Sequence, residues 1–144
     1  MSGRAVFAEL SEAECRELLA RHHVGRIAYQ MREYINIAPI GYVYHGEWLA
    51  CRTQEGTKVS VLRHSPYVAF EVDEVEGPFD WKSVVIQGSY YEEDLPNEGR
   101  EQTLAALRTA SPQIFTDNDP TPFRDVLFRI HIRELTGRSA TTKS

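Results

Sequence analysis

Two stretches alternate strictly between apolar and polar residues, and they narrow the possible folds more than any other feature. In "YVAFEVDEV", Val68, Phe70 and Val72 share one face while Ala69, Glu71 and Asp73 take the other. In "DVLFRIHIREL", Phe128, Ile130 and Ile132 alternate with Arg129, His131 and Arg133. A period of two marks a strand with one buried face. "VGRIAYQ" and "WKSVVIQGSYYEEDL" also read as strands, the latter with Gly88 as a bulge or point of close approach. "EYINIAPIGYVYHGEWLACRT" reads as two arms, Tyr34–Tyr44 and Trp48–Arg52, joined by a turn at His45-Gly46-Glu47. Pro39 cannot donate to a ladder, so the first arm lies at an edge or is bulged there. Consecutive strands are linked by connections too short for parallel crossovers, so the sheet is antiparallel.

Three helices interrupt the strands. "SEAECRELLARHH" begins at Ser11, with Glu14 as its capping-box partner, and turns Cys15, Leu18 and Leu19 to one side. "EGTKVSVLRHS" is a short helix stopped before Pro66, and "NEGREQTLAALRTAS" is a longer one capped by Asn97, with Leu104 and Leu107 facing inward. "GPFD" and "TDNDPTP" are loops, and the tail "TGRSATTKS" is expected to fray. The fold class is therefore α+β and mainly β: a small antiparallel barrel of about six strands with three flanking helices, one domain over 1–144.

Bulk properties exclude several classes. A chain of 144 residues, 42% hydrophobic, buries a core without disulfide or metal staples. A net charge of −5 is not that of a general nucleic-acid binder. No apolar run approaches the roughly 18 residues of a membrane span. The N-terminus lacks the apolar core of a secretory signal. Cys15 and Cys51 form no CxxC pair, which suits a reducing cytoplasm and argues against structural zinc. The histidines (His22, His23, His45, His64, His131) show no HxH or HxxxH spacing, so no metal site is expected.

The turn "TQEGTK" carries the most chemistry. It puts Arg52, Thr53, Gly56, Thr57 and Lys58, one of three lysines, where a helix begins. A helix start offers free N–H groups and the positive end of a dipole, an arrangement that suits an anion. Threonine hydroxyls, a lysine charge and an arginine fork are what a phosphate monoester needs. The same residues also suit plain architecture: Thr53 as an N-cap, Gly56 as a turn residue, Lys58 on a solvated face. There is no Walker loop.

The motifs "GTK", "SPYVAFEVD" and "WKSVVIQG" in this order resemble the pyridoxamine 5'-phosphate oxidase-like FMN-binding split barrels, and among them the nitroimidazole-resistance branch. The resemblance covers about residues 10–138. It implies that the family's T-x-x-x-[ST]-[RK] pattern falls on Thr53, Thr57 and Lys58 and holds the FMN phosphate. It also implies that Ser83 contacts the flavin ring, and that Ile40, Gly41 and Tyr42 lie against it mainly through backbone. Trp81 either walls the flavin or packs. The basic R-x-V-L-L-K strand of the true oxidases is replaced by "INIAPIGY", and their C-terminal substrate-gripping Trp and Arg/His pair have no counterpart in "RIHIRELTGR". Pyridoxine phosphate oxidation is therefore not expected.

The resemblance implies a homodimer with flavin sites at the subunit interface, for which Tyr34, Tyr42, Tyr44 and Trp48 offer either interface or core. The expected function is an FMN-dependent reductase of small electrophiles such as nitroaromatics or quinones, with NAD(P)H or another donor. A flavin store, carrier or sensor without turnover is the alternative, and deazaflavin or haem are alternative cofactors. No catalytic residue is assigned. Lys82 and Arg138 are candidates for tuning the flavin. Cys51 is read as a small buried residue, and the acidic run Asp73, Glu74, Glu76, Asp80 as exposed carboxylates.

Overall fold

The computed structural model of the chain describes residues 3–143. Its elements run β1 (Arg4–Glu9), α1 (Glu12–Arg21), β2 (Val24–Met31), β3 (Tyr34–Gly41), β4 (Val43–His45), β5 (Trp48–Thr53), α2 (Thr57–His64), β6 (Tyr67–Gly77), β7 (Asp80–Glu92), α3 (Glu98–Ala110) and β8 (Val126–Lys143). The eight strands form one sheet in the order β3-β2-β6-β7-β8-β5-β4, with β1 also on β8. Every pairing is antiparallel. β3 and β4, the two ends of that order, are consecutive in the chain. β3 packs on β5 without pairing to it, so the sheet curls into a barrel that stays split.

The split is made at Tyr42. The arm read as one strand over Tyr34–Tyr44 is two, because Tyr42 leaves the ladder. Its N–H donates to the His23 carbonyl at 2.9 Å, and its hydroxyl donates to the Leu19 carbonyl at 2.8 Å. Its ring meets Phe70 edge-on at 5.3 Å. A buried tyrosine whose hydroxyl has a partner makes a strong local anchor. Pro39 does lie on an edge strand, paired to Arg26.

The main core fills the barrel with Ile27, Leu49, Cys51, Phe70, Val84, Ile86, Phe128 and Ile130. α1 covers it with Cys15, Leu18 and Leu19, held at its start by the reciprocal Ser11–Glu14 hydrogen bonds, and α2 adds Leu62. A smaller cluster of Ala50, Leu127, Ala106, Leu107 and Ile114 packs α3 onto the outside of β5 and β8. β5 and the first residues of β8, Val126–Phe128, are buried on both faces, which explains the unbroken apolar runs of "WLAC" and "VLF". Gly88 sits at a register shift between β7 and β8, where a Cβ would come within 2.7 Å of Ile130 Cγ2 and 2.8 Å of the His131 carbonyl oxygen.

Two expectations are corrected. Eight strands are present among the described residues instead of about six. The tail does not fray over its described residues: β8 runs to Lys143, between β7 up to Ala140 and a full register of β1, and Ser144 lies outside the described residues. One extra strand is the split of the Tyr34–Tyr44 arm at Tyr42; the other, β1, and the ordered tail have one cause. β1 and the end of β8 have little alternation of their own and are strands because they pair with each other. Among the described residues no helix is long and apolar enough to cross a membrane.

Candidate functional site

Helix α2 starts without a side-chain cap. Its N-cap is Gly56 in extended backbone, with no side-chain hydrogen bond to the first turn. Thr53 is therefore not the cap; it is the buried last residue of β5. The N–H groups at the start of the helix are left for solvent or a ligand.

Beside this helix start is a cleft of about 420 Å³ lined by Val24, Pro39, Ile40, Gly41, Arg52, Thr53, Gln54, Lys58 and Arg124. Among the described residues three cations and no carboxylate face it. Arg52 is already neutralised: its guanidinium forks onto Asp119 at 2.8 and 2.9 Å and donates to the Thr121 hydroxyl at 2.8 Å. The Asp119 side chain is fully buried and also accepts from the Phe115 and Thr121 N–H groups. Arg52 and those N–H donors hold its carboxyl well below the usual carboxylate range. Arg52 is thus a brace between β5 and the loop after α3.

Lys58 and Arg124 differ from Arg52. Among the described residues neither belongs to an ion pair. Burial, together with the nearby Arg124 charge, pushes the Lys58 ammonium below its ordinary pKa. Two like charges held close, one of them half-buried, form an arrangement that a bound anion would relieve.

The residues singled out from the sequence fall into four places. Ile40, Gly41, Arg52, Thr53 and Lys58 meet in this cleft. Gly56 and Thr57 line a neighbouring cleft of about 600 Å³ with Gln30, Met31, Arg32, Ser60, Val61 and His64. The Tyr42 side chain belongs to the core, although the residue borders a further cavity described below. Trp81 and Ser83 are on β7, away from both clefts: Trp81 packs against Phe7 with centroids 6.4 Å apart, and the Ser83 hydroxyl donates to Glu71 at 2.9 Å. Ser83 also pairs with Arg138 across the β7–β8 ladder.

Of the aromatics weighed as interface or core, Tyr34 is 64% exposed on edge strand β3 beside Ile35 and Ile37. Trp48 is covered, stacked on His45 at 4.3 Å and beneath the Arg129 guanidinium at 3.8 Å. Tyr44 accepts from Arg16 at 2.8 Å. The acidic run is not simply exposed: Glu74 is gripped by Arg21 and His22, and Asp80 by the Thr142 N–H and hydroxyl. Glu71 and Asp73 share Arg26 at 3.4 Å each, and burial beside Asp73 raises the Glu71 carboxyl. Cys51 is fully buried, and that burial pushes its thiol up. Among the described residues no group of three or more His, Cys, Asp or Glu is placed to hold a metal ion.

Arg124 and Asp119 were not legible as site residues. They lie in "TDNDPTPFRD", some seventy positions from Arg52 and Lys58, and nothing local distinguishes them from solvated loop charges. The one available signal was the clustering of Asp, Pro and Thr as turn formers.

Comparison with known proteins agrees with this architecture. The family model described as "Pyridoxamine 5'-phosphate oxidase" matches residues 11–139. An uncharacterized protein of Rhizobium meliloti is 32% identical over 141 residues, which is 91% of this chain and 93% of that protein. A crystal structure described as a FAD-binding protein from Mesorhizobium loti superposes with a TM-score of 0.79 at 30% identity, covering 96% of this chain and 99% of that one. A candidate 5-nitroimidazole antibiotic resistance protein from Bacteroides thetaiotaomicron shares the fold, with a TM-score of 0.74 at 13% identity over 99% of this chain and 92% of that one. The family match across nearly the whole chain, on a split antiparallel barrel, means that this chain belongs to the pyridoxamine 5'-phosphate oxidase family.

Proposed function

We propose that this chain binds a flavin nucleotide, with the FMN phosphate held in the Lys58–Arg124 cleft, and works as a reductase of small electrophiles. The observation that carries the reading is the cleft itself: among the described residues, two cations without ion-pair partners, no carboxylate in the lining, and the uncapped start of α2 beside it. Phosphate fits that donor set. Lys58 acts as a point charge, Arg124 as a fork, and the Thr53 and Thr57 hydroxyls as flanking donors. The Mesorhizobium loti protein described as FAD-binding supports a flavin as the phosphate's owner.

A bound flavin supplies reversible electron transfer, and the protein supplies position and electrostatics. Val24, Pro39 and Ile40 give the cleft an apolar side that suits a planar ring. Planar acceptors such as nitroaromatics or quinones need apolar contact more than a charge clamp. The missing oxidase substrate groups favour such acceptors over pyridoxine phosphate.

The site is read as shared by two copies. Ser83 and Trp81 do not line the cleft of their own chain, so a ring contact from β7 would come from a second chain. The exposed Tyr34, Ile35 and Ile37 on the edge of the sheet supply apolar surface for such a homodimer. Two free, buried cysteines support a reducing cytoplasm as its compartment.

Stopped-flow mixing of anaerobically reduced holoprotein with a nitroaromatic or quinone tests turnover. Reoxidation faster than that of free reduced flavin is expected. Reoxidation no faster would leave a flavin-binding carrier or sensor.

A further inference from the structure

The phosphate cleft has a second space behind it. A cavity of about 300 Å³ shares Gly41, Arg52 and Arg124 with the first cleft. Its other walls come from His23, Tyr42 and Val43, the end of α3, and the loop of Gln113, Ile114, Pro120 and Thr121. Like the first cleft it has no carboxylate among the described residues that line it. Beyond the shared arginines and His23, the wall is made of uncharged residue types: Leu107 and Ile114 offer apolar surface, while Ser111, Gln113 and Thr121 offer amide and hydroxyl groups.

This wall is preorganised. The Asp119 carboxylate ties Arg52 to the Phe115 and Thr121 N–H groups, and Arg108 donates twice to the Ile114 carbonyl at 3.0 and 2.9 Å. Phe115 turns the loop at φ 58°, a left-handed conformation uncommon for a side chain of this size. The same loop packs Ile114, with Phe115 against it, into the cluster outside β5 and β8, which holds the wall in place. An apolar slot with a few neutral hydrogen-bonding groups, reached past a cation, matches a nucleoside attached to a phosphate.

We propose that this second cavity receives the adenosine of a dinucleotide flavin, with Arg124, which lines both spaces, facing the diphosphate. The proposal rests on the flavin reading above and deepens it: the preferred cofactor is FAD, of which FMN fills one half. Gln113 and Ser111 provide polar contacts to the base, and the apolar residues cover its faces. Ala110, exposed at the end of α3, keeps the slot open.

Equilibrium titration of flavin-stripped protein with FAD and with FMN tests this. FAD is expected to bind about tenfold more tightly, the worth of roughly one additional net contact. Ala110→Trp, which fills the slot from an exposed position, and Gln113→Ala should each erase most of that preference and leave the FMN affinity unchanged. Equal affinity of the unaltered protein for FAD and FMN would overturn the proposal while leaving the flavin site intact. So would variants that weaken both ligands alike. If neither flavin binds the unaltered protein, the proposal falls together with the reading beneath it.

Discussion

Replacing Lys58 by alanine separates a phosphate site from a surface lysine. The side chain is half-buried, has no ion-pair partner among the described residues, and lies near Arg124. Its loss removes one of the two unneutralised charges in the cleft. A hydrogen bond to a charged group is worth about 1.5–3 kcal/mol, so FMN or FAD affinity should fall roughly ten- to a hundredfold. Riboflavin, which has the ring without the phosphate, should be little affected.

The fold should tolerate the change. Because the folded-state pKa of Lys58 is lowered, its charged form is disfavoured in the fold below that pKa. Alanine there removes an unfavourable charge, so the melting temperature should hold or rise. The same shift gives a pH signature. Nucleotide affinity should weaken as pH rises through the lowered Lys58 pKa, below the ordinary 10.5, and the variant should lose that limb. The assay is flavin titration of both proteins with FMN and riboflavin across pH. Equal loss for the two ligands refutes the phosphate role of Lys58.

Other perturbations test the fold and its assembly. Gly88→Ala should destabilise the protein by about 1–3 kcal/mol in denaturant unfolding, because the new methyl meets both Ile130 and the His131 backbone; an unchanged midpoint would contradict the close approach. Glu74, held by Arg21 and His22, has its carboxyl pushed down to about 2. Its contribution to stability is present above the ordinary carboxylate pKa of 4.5 and is lost as pH falls through about 2. Glu74→Gln should therefore flatten the acid limb of thermal stability over that window, and an unaltered limb would mean that the contact does not persist in solution. Flavin-loaded protein should have twice the chain mass in light scattering; a flavin-saturated monomer would end the shared-site reading.

Much of this was legible in the sequence, for physical reasons. Val68, Phe70 and Val72 on β6, and Phe128 and Ile130 on β8, alternate with polar neighbours because one face of each strand lines the barrel. Ser11, Glu14 and Asn97 were readable because caps act over three residues. Pro39 marked an edge because a missing donor is a local fact. The misses are long-range. β1 and the end of β8 have no strong pattern until they pair. Tyr42 breaks its strand because Leu19 and His23, some twenty residues earlier, supply hydrogen-bond partners. At the site, Thr53, Lys58 and Arg52 were visible as a cluster around a helix start. Their sorting into a free cation and a neutralised one depended on Asp119 and Arg124, brought in by a distant loop. A loop's charge says nothing in sequence about which strand it will face.

The central claim is that this chain holds a flavin through its phosphate. Equilibrium dialysis of the unaltered protein against FMN, FAD and riboflavin tests it most directly. The expected result is saturable binding of one flavin nucleotide per chain, much tighter than riboflavin and lost in the Lys58→Ala/Arg124→Ala double variant. Absence of saturable flavin binding, or nucleotide binding unaffected by removal of both charges, would contradict it.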